Sequence, residues 1–262
     1  MKIINTIVWL QPWPRTCIMA WVHGNEVWAQ KLLYYLSEHL EISYGEVVFV
    51  IASPWAVAAN TRYIDYNLNR LFGQTRVAGY ESTIIEDLEW LISSYDYVLD
   101  LHNTIRSRTQ PFLITEHVDY AQYFDVEYVV CGLDALHPWA SDGYVDSMWC
   151  VWLCLECGHI DDDSLCFADS VVQFLASTWH NMQASRSSYQ VKKLVAEWVY
   201  HSLTDSFVPV KDFADFEFVA KGEIIGSDGW EPVLASDDCY LLFTKSSAVI
   251  GWECFVATVL VA

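Results

Sequence analysis

Two histidines and two glutamates stand where a hydrolytic metal centre needs them. His23 and Glu26 lie three residues apart, directly after the apolar run 16–22, and His102 follows a second apolar run, 97–101. Imidazole nitrogen and carboxylate oxygen are both good zinc donors, and a catalytic zinc takes three protein ligands while keeping one position open. Glu156 closes a third apolar run, 149–156. A charge there is costly unless it is partnered or used. Such a carboxylate can take a proton from a zinc-bound water, whose pKa falls to about 7, and pass it to a leaving amine. Between residues 60 and 72, Arg62 and Arg70 flank Asp65, Asn67 and Asn69. Arginine forms bidentate contacts with carboxylates and stabilises a developing oxyanion. Arg106 and Arg108 add positive charge just beyond His102. Asp100, Asn103 and Thr104 are placed to orient the metal ligands.

These side chains can meet only if the chain folds their strands side by side. Short apolar runs read as strands at 3–10, 16–22, 46–52, 97–101, 112–115, 127–131 and 149–156. Helical spacing of Trp28, Leu32, Leu33, Leu36 and Leu40 predicts a helix over 27–40. Ile84, Leu88 and Leu91 predict another over 80–95, and a third is expected over 163–182. Strands alternating with helices imply an α/β fold: a mostly parallel mixed sheet with helices on both faces. Ligands in such sheets bind at the C-terminal ends of the strands, where His23 and His102 sit. After Ser185-Arg186-Ser187-Ser188 the pattern changes to short strands and turns such as Lys221-Gly222 and Ser227-Asp228-Gly229. The division expected is a catalytic domain over 1–188 and a small all-β domain over 189–262.

Composition narrows the function classes. The chain has 262 residues, is 53% hydrophobic, and carries a formal net charge of −20 with only 14 Lys and Arg. That charge excludes nucleic acid as a partner and requires any anion site to concentrate its arginines locally. No apolar run reaches the ~18–20 residues of a membrane span, and the apolar start 1–13 lacks a cleavage site, so a cytoplasmic protein with no membrane partner is expected. The eight cysteines are scattered. Cys154-x-x-Cys157 has no second pair at zinc-ribbon spacing, so buried free thiols are expected. Self-association into a homo-oligomer is left open.

Four motifs in order, His23-Gly24-Asn25-Glu26, then Arg62-Tyr63-Ile64-Asp65-Tyr66-Asn67-Leu68-Asn69-Arg70-Leu71-Phe72, then Asp100-Leu101-His102-Asn103-Thr104, then Glu156-Cys157-Gly158, resemble the aspartoacylase and succinylglutamate desuccinylase family. Lys221-Gly222-Glu223-Ile224-Ile225, Asp228-Gly229, Tyr240-Leu241-Leu242 and Gly251-Trp252-Glu253 extend the resemblance through the tail. The resemblance implies a zinc carboxypeptidase-like fold and one Zn2+ per chain, held by His23, Glu26 and His102. It implies Glu156 as general base, Arg62 polarising the scissile carbonyl, and Asn69 with Arg70 holding a substrate carboxylate. Arg106 would assist in binding a small anionic N-acyl amino acid.

The sequence departs from the family pattern in places. Asn67 stands where the family has Asp, Ala20-Trp21 replaces Gly-Gly, and 143–149 contains no arginine. The tail segment 246–252 has no clear match to the aspartoacylases' substrate-site tyrosine. The expectation is a zinc-dependent amidohydrolase removing an acyl group from an N-acyl amino acid. The alternatives are a metallocarboxypeptidase acting on a short peptide and a non-catalytic member binding a small acid or a protein.

Overall fold

The computed structural model describes the chain apart from Leu10, Pro12, Trp21, 75–77, 105–107, 138–139, Ser147, Trp149, Met182 and Ala262; for Asp142 and Asp146 the description is of the backbone. The first half contains strands β1 (Lys2–Val8), β2 (Arg15–Ala20), β3 (Glu46–Ile51), β4 (Tyr97–Thr104), β5 (Phe112–Ile114), β6 (Tyr128–Cys131) and β7 (Val151–His159). The tail adds β8 (Lys192–His201), β9 (Phe207–Pro209), β10 (Glu217–Val219), β11 (Ile224–Asp228), β12 (Glu231–Leu234), β13 (Cys239–Leu242) and β14 (Glu253–Val261). The helices are α1 (Val27–His39), α2 (Pro54–Ala59), α3 (Tyr80–Ile92), α4 (Leu133–Leu136), α5 (Ser141–Asp146) and α6 (Ala168–Ser177).

Eleven strands form one mixed sheet in the order β1-β3-β2-β4-β7-β5-β6-β8-β14-β13-β10, and β12-β11-β9 form a small antiparallel sheet. The four central strands, β3-β2-β4-β7, are all parallel. Their sequences are continuously apolar because both faces are covered. Cys17, Met19, Val48, Val50 and Val98 pack with Ile84, Ile85 and Leu88 of α3. On the opposite face Ile18, Phe49, Leu99 and Leu101 pack with Leu32, Leu33 and Leu36 of α1 and with Val171 and Phe174 of α6. The segment after residue 188 is all β: β8, β14, β13 and β10 prolong the large sheet, and the smaller sheet has its own core around Phe207, Ile225 and Phe255. Among the described residues no helix is long and apolar enough to cross a membrane, and the eight cysteines form no disulfides.

Several elements differ from the sequence expectation. The helix expected over 163–182 is split into a 3-10 turn, Ser164–Phe167, and α6, which ends at Ser177. Asp163 starts the turn by accepting the Leu165 N–H at 3.0 Å, and Trp179 stops the helix in a left-handed conformation (φ 69°). Strand β7 runs three residues past Glu156 and β4 runs two past His102, so both groups lie within strands rather than at their ends. Strand β2 ends at Ala20, before His23.

Candidate active site

Strands β2 and β4 are parallel neighbours, with Met19 opposite Asp100 and Ala20 opposite Leu101. This adjacency brings the histidine after β2 to the histidine on β4. Between them stands Glu26, the N-cap residue of α1, where the helix dipole favours a negative charge. The three side chains are buried, at 5%, 3% and 4% relative exposure for His23, Glu26 and His102. One ligand atom from each lies within 4.8 Å of the others. His23 Nδ1 is 2.7 Å from Glu26 Oε1, and His102 Nδ1 is 3.1 Å from Glu26 Oε2. Two imidazole nitrogens and a carboxylate, converging out of water, are a donor set suited to a divalent cation such as zinc.

Gly24 permits this turn. A Cβ there would lie 2.1 Å from the backbone carbon of Ala56 in α2. The Gly24 N–H also donates to the Arg62 carbonyl at 3.2 Å, tying the histidine turn to the arginine loop.

A second layer orients the three candidate ligands. The Asn69 N–H donates to Asn67 Oδ1 at 3.0 Å, which places the amide oxygen toward His23 Nε2, 3.2 Å away. That oxygen can accept an Nε2–H, the tautomer that would free Nδ1 to bind a cation. Asp100 Oδ2 lies 3.0 Å from His102 Nε2 and orients that ring in the same way. Asn103 accepts the Ala29 N–H at 2.5 Å, capping α1 from a distance, and its own N–H donates to Glu26 Oε2 at 3.3 Å.

Burial lowers the His23 pKa and keeps that ring neutral. Burial alone would raise Glu26, but His23 and His102 outweigh it and hold the carboxyl below its ordinary range. Burial also opposes the charged form of His102, yet Asp100 and Glu26 on its two sides carry its pKa well upward. A cation between these groups would replace that proton.

Glu156 is the register partner of His102 across the parallel β4–β7 ladder, so the two side chains leave the sheet on one face. It is 8% exposed, and its Oε2 has no hydrogen-bond partner among the described residues. Burial raises its pKa to about 7, with Glu26 and Asp215 adding and His102 and Arg62 opposing. A carboxyl so placed can hold or release a proton near neutral pH.

The loop before α3 brings cations to the same mouth. Arg62 Nη1 is 3.7 Å from Glu26 Oε1, with the side chain half exposed. Asn69 Oδ1 accepts the Ser141 N–H at 2.8 Å, so its amide N–H2 group faces away as a donor. Arg70 Nη1 donates to the Asn69 carbonyl at 2.7 Å, and its Nη2 lies 3.7 Å from Glu253 Oε2. Arg106 falls outside the described residues. Arg108 Nη1 donates to the Asp212 carbonyl at 2.7 Å, which ties that side chain to the tail.

Glu81, absent from the sequence reading, organises this loop. It is fully buried and accepts the N–H groups of Ile64, Asp65 and Tyr66 at 2.7, 3.0 and 3.1 Å. Asp65 answers by accepting the Tyr80 N–H at 2.7 Å, at the start of α3. The available signal was a carboxylate on the same helical face as Ile84, Ile85 and Leu88.

Residues 12–179 match the Succinylglutamate desuccinylase/Aspartoacylase catalytic domain. The chain belongs to the succinylglutamate desuccinylase/aspartoacylase family. It is 26% identical to a succinylglutamate desuccinylase of Vibrio vulnificus over 88% of this chain and 76% of that protein. It is 32% identical to an N-acyl-aromatic-L-amino acid amidohydrolase (carboxylate-forming) of Rattus norvegicus over 40% of this chain and 38% of that one. In fold it is similar to the solved succinylglutamate desuccinylase of Vibrio parahaemolyticus, with a TM-score of 0.78 and 22% identity, covering 94% of this chain and 82% of the other. The family match spans all four motifs, from His23 to Glu156, and the fold match also takes in the tail strands that flank them.

Proposed function

We propose that this family member is a zinc-dependent amidohydrolase that removes the acyl group from a small anionic N-acyl amino acid. His23, Glu26 and His102 would hold the metal. When bound, zinc would polarise the acyl carbonyl and bring the pKa of a water molecule down to about 7.

The chain's own groups supply the remainder. Glu156 takes the proton from the attacking water and passes it to the departing amine nitrogen. Arg62, 3.7 Å from Glu26, donates to the oxygen that gains charge as the carbonyl becomes tetrahedral. The Asn69 amide N–H2 and the Arg70 guanidinium bind the substrate carboxylate, and Arg106 is assigned to the same anion.

The observation that carries the reading is Glu156: a buried carboxyl in ladder register with a candidate metal ligand, holding one oxygen unpartnered among the described residues. Glu156→Gln should retain zinc and lose on the order of 10²–10⁴ in kcat. Near-normal turnover in that variant would refute the assignment. A panel of N-acyl amino acids against dipeptides separates amidohydrolase from carboxypeptidase activity, and the absence of stoichiometric zinc from purified protein would favour a non-catalytic role.

A further inference from the structure

Away from the candidate metal centre, a group of opposite charges lies where the tail meets the arginine loop. Glu253, the first residue of β14, has only 16% of its side chain exposed and faces three basic groups. Its Oε2 is 3.0 Å from His137 Nε2, at the end of α4, and 3.7 Å from Arg70 Nη2. Its Oε1 is 3.6 Å from Lys245 Nζ. Burial alone would raise the Glu253 pKa, but His137, Lys245 and Arg70 outweigh it and bring it to about 2, so the carboxylate is charged at any working pH.

Two features show that this carboxylate does not simply cancel Arg70. Arg70 and Lys245 are two fixed cations facing one carboxylate, so the cluster stays net positive even with His137 neutral, in a chain whose formal charge is −20. Arginine also has five donors in a rigid fork. One reaches the Asn69 carbonyl at 2.7 Å, and Nη2 lies 3.7 Å from Glu253 Oε2 as an ion pair, so the guanidinium is held from two sides with donors left over.

We propose that Glu253 is the positioning residue of the carboxylate anchor: it aims the Arg70 guanidinium beside the Asn69 amide, while His137 and Lys245 keep the patch positive enough to recruit an anionic substrate. The β tail thereby completes a binding site whose other parts come from the catalytic sheet. This inference rests on the assignment of Arg70 to the substrate carboxylate made above.

The test uses zinc-loaded full-length protein, the N-acyl amino acid panel, and calorimetric binding of the corresponding free amino acids. Glu253→Gln should raise KM about tenfold or more while kcat stays within about twofold. Zinc content should match wild type, while the thermal midpoint should fall, because a carboxylate held at a depressed pKa contributes to stability. Glu253→Asp, which keeps the charge, should recover part of the loss, and Lys245→Met should raise KM by a smaller factor that shrinks as salt is added.

An unchanged or lower KM in Glu253→Gln would overturn the proposal, the lower value marking Glu253 as a plug that substrate displaces. Should that variant not fold, an unchanged KM in both Glu253→Asp and Lys245→Met overturns it equally. If wild type hydrolyses no panel member yet binds a free amino acid that Glu253→Gln binds tenfold more weakly, the amidohydrolase reading falls and the positioning role stands. If wild type neither hydrolyses nor binds, both fall.

Discussion

The candidate metal triad and the arginine loop adjoin, with Arg62 3.7 Å from Glu26 and Asn67 3.2 Å from His23, but are built on opposite plans. His23, Glu26 and His102 are buried, and each has a further partner that fixes its orientation: Asn67, the Asn103 N–H and Asp100. The side chains of Arg62 and Arg70 are 51% and 44% exposed and are aimed by ion pairs at 3.7 Å. A metal site needs its donors preorganised before the ion arrives, because misplaced donors cannot be repaired by solvent. A carboxylate anchor needs donors that remain free until the ligand comes. Rigidity in the second region is moved back one step, to the loop backbone, which Glu81 and the Gly24–Arg62 contact hold.

The sharpest test of that contrast compares His102→Ala with Arg70→Ala. The first should abolish stoichiometric zinc binding and with it all turnover. The second should keep zinc and thermal stability while raising KM roughly 10–100-fold. Loss of zinc in Arg70→Ala would show the regions to be one cooperative unit. Gly24→Ala probes the join between them. Its Cβ has no room against Ala56, and denaturant unfolding should show a loss of about 2–3 kcal/mol, together with lowered zinc content.

The acid limb of the rate profile comes next in size. Glu156 has a raised pKa, so its base form is lost as pH falls through about 7. With zinc bound, the cation shifts that limb to lower pH. kcat/KM should therefore drop on the acid side, by up to about tenfold per pH unit once below the group's pKa. A profile flat to pH 4 would remove Glu156 from the proton transfer. The smallest effect is expected from Asn67→Asp. Restoring a carboxylate behind His23 should tighten zinc by about tenfold in a chelator competition, with little change in KM. A change in KM instead would place Asn67 with the anchor.

The central strands, the helices α1 and α3 and the four motifs were legible because each carries a local signature. Continuous apolar runs mark strands covered on both faces, and His23 and His102 stand out as polar groups where such runs give way. The break in the 163–182 helix was hidden because an Asp such as Asp163 suits the start of a helix and of a 3-10 turn equally, and the left-handed Trp179 carries no residue-type signal. Glu81 was hidden for another reason. Its carboxylate is satisfied by three backbone N–H groups, and backbone donors are the same in any sequence.

The order and kinds of the reacting groups were thus set down in the primary structure: two imidazoles, two carboxylates and a cation-bearing loop, each beside an element its own neighbours encode. Tertiary structure alone decided that β4 lies between β2 and β7, that His102 and Glu156 occupy the same rung of the ladder, and that Glu253 crosses from the tail to Arg70. Strand order and register follow from packing summed over the whole sheet, and a partner nearly two hundred residues away leaves no trace in local spacing.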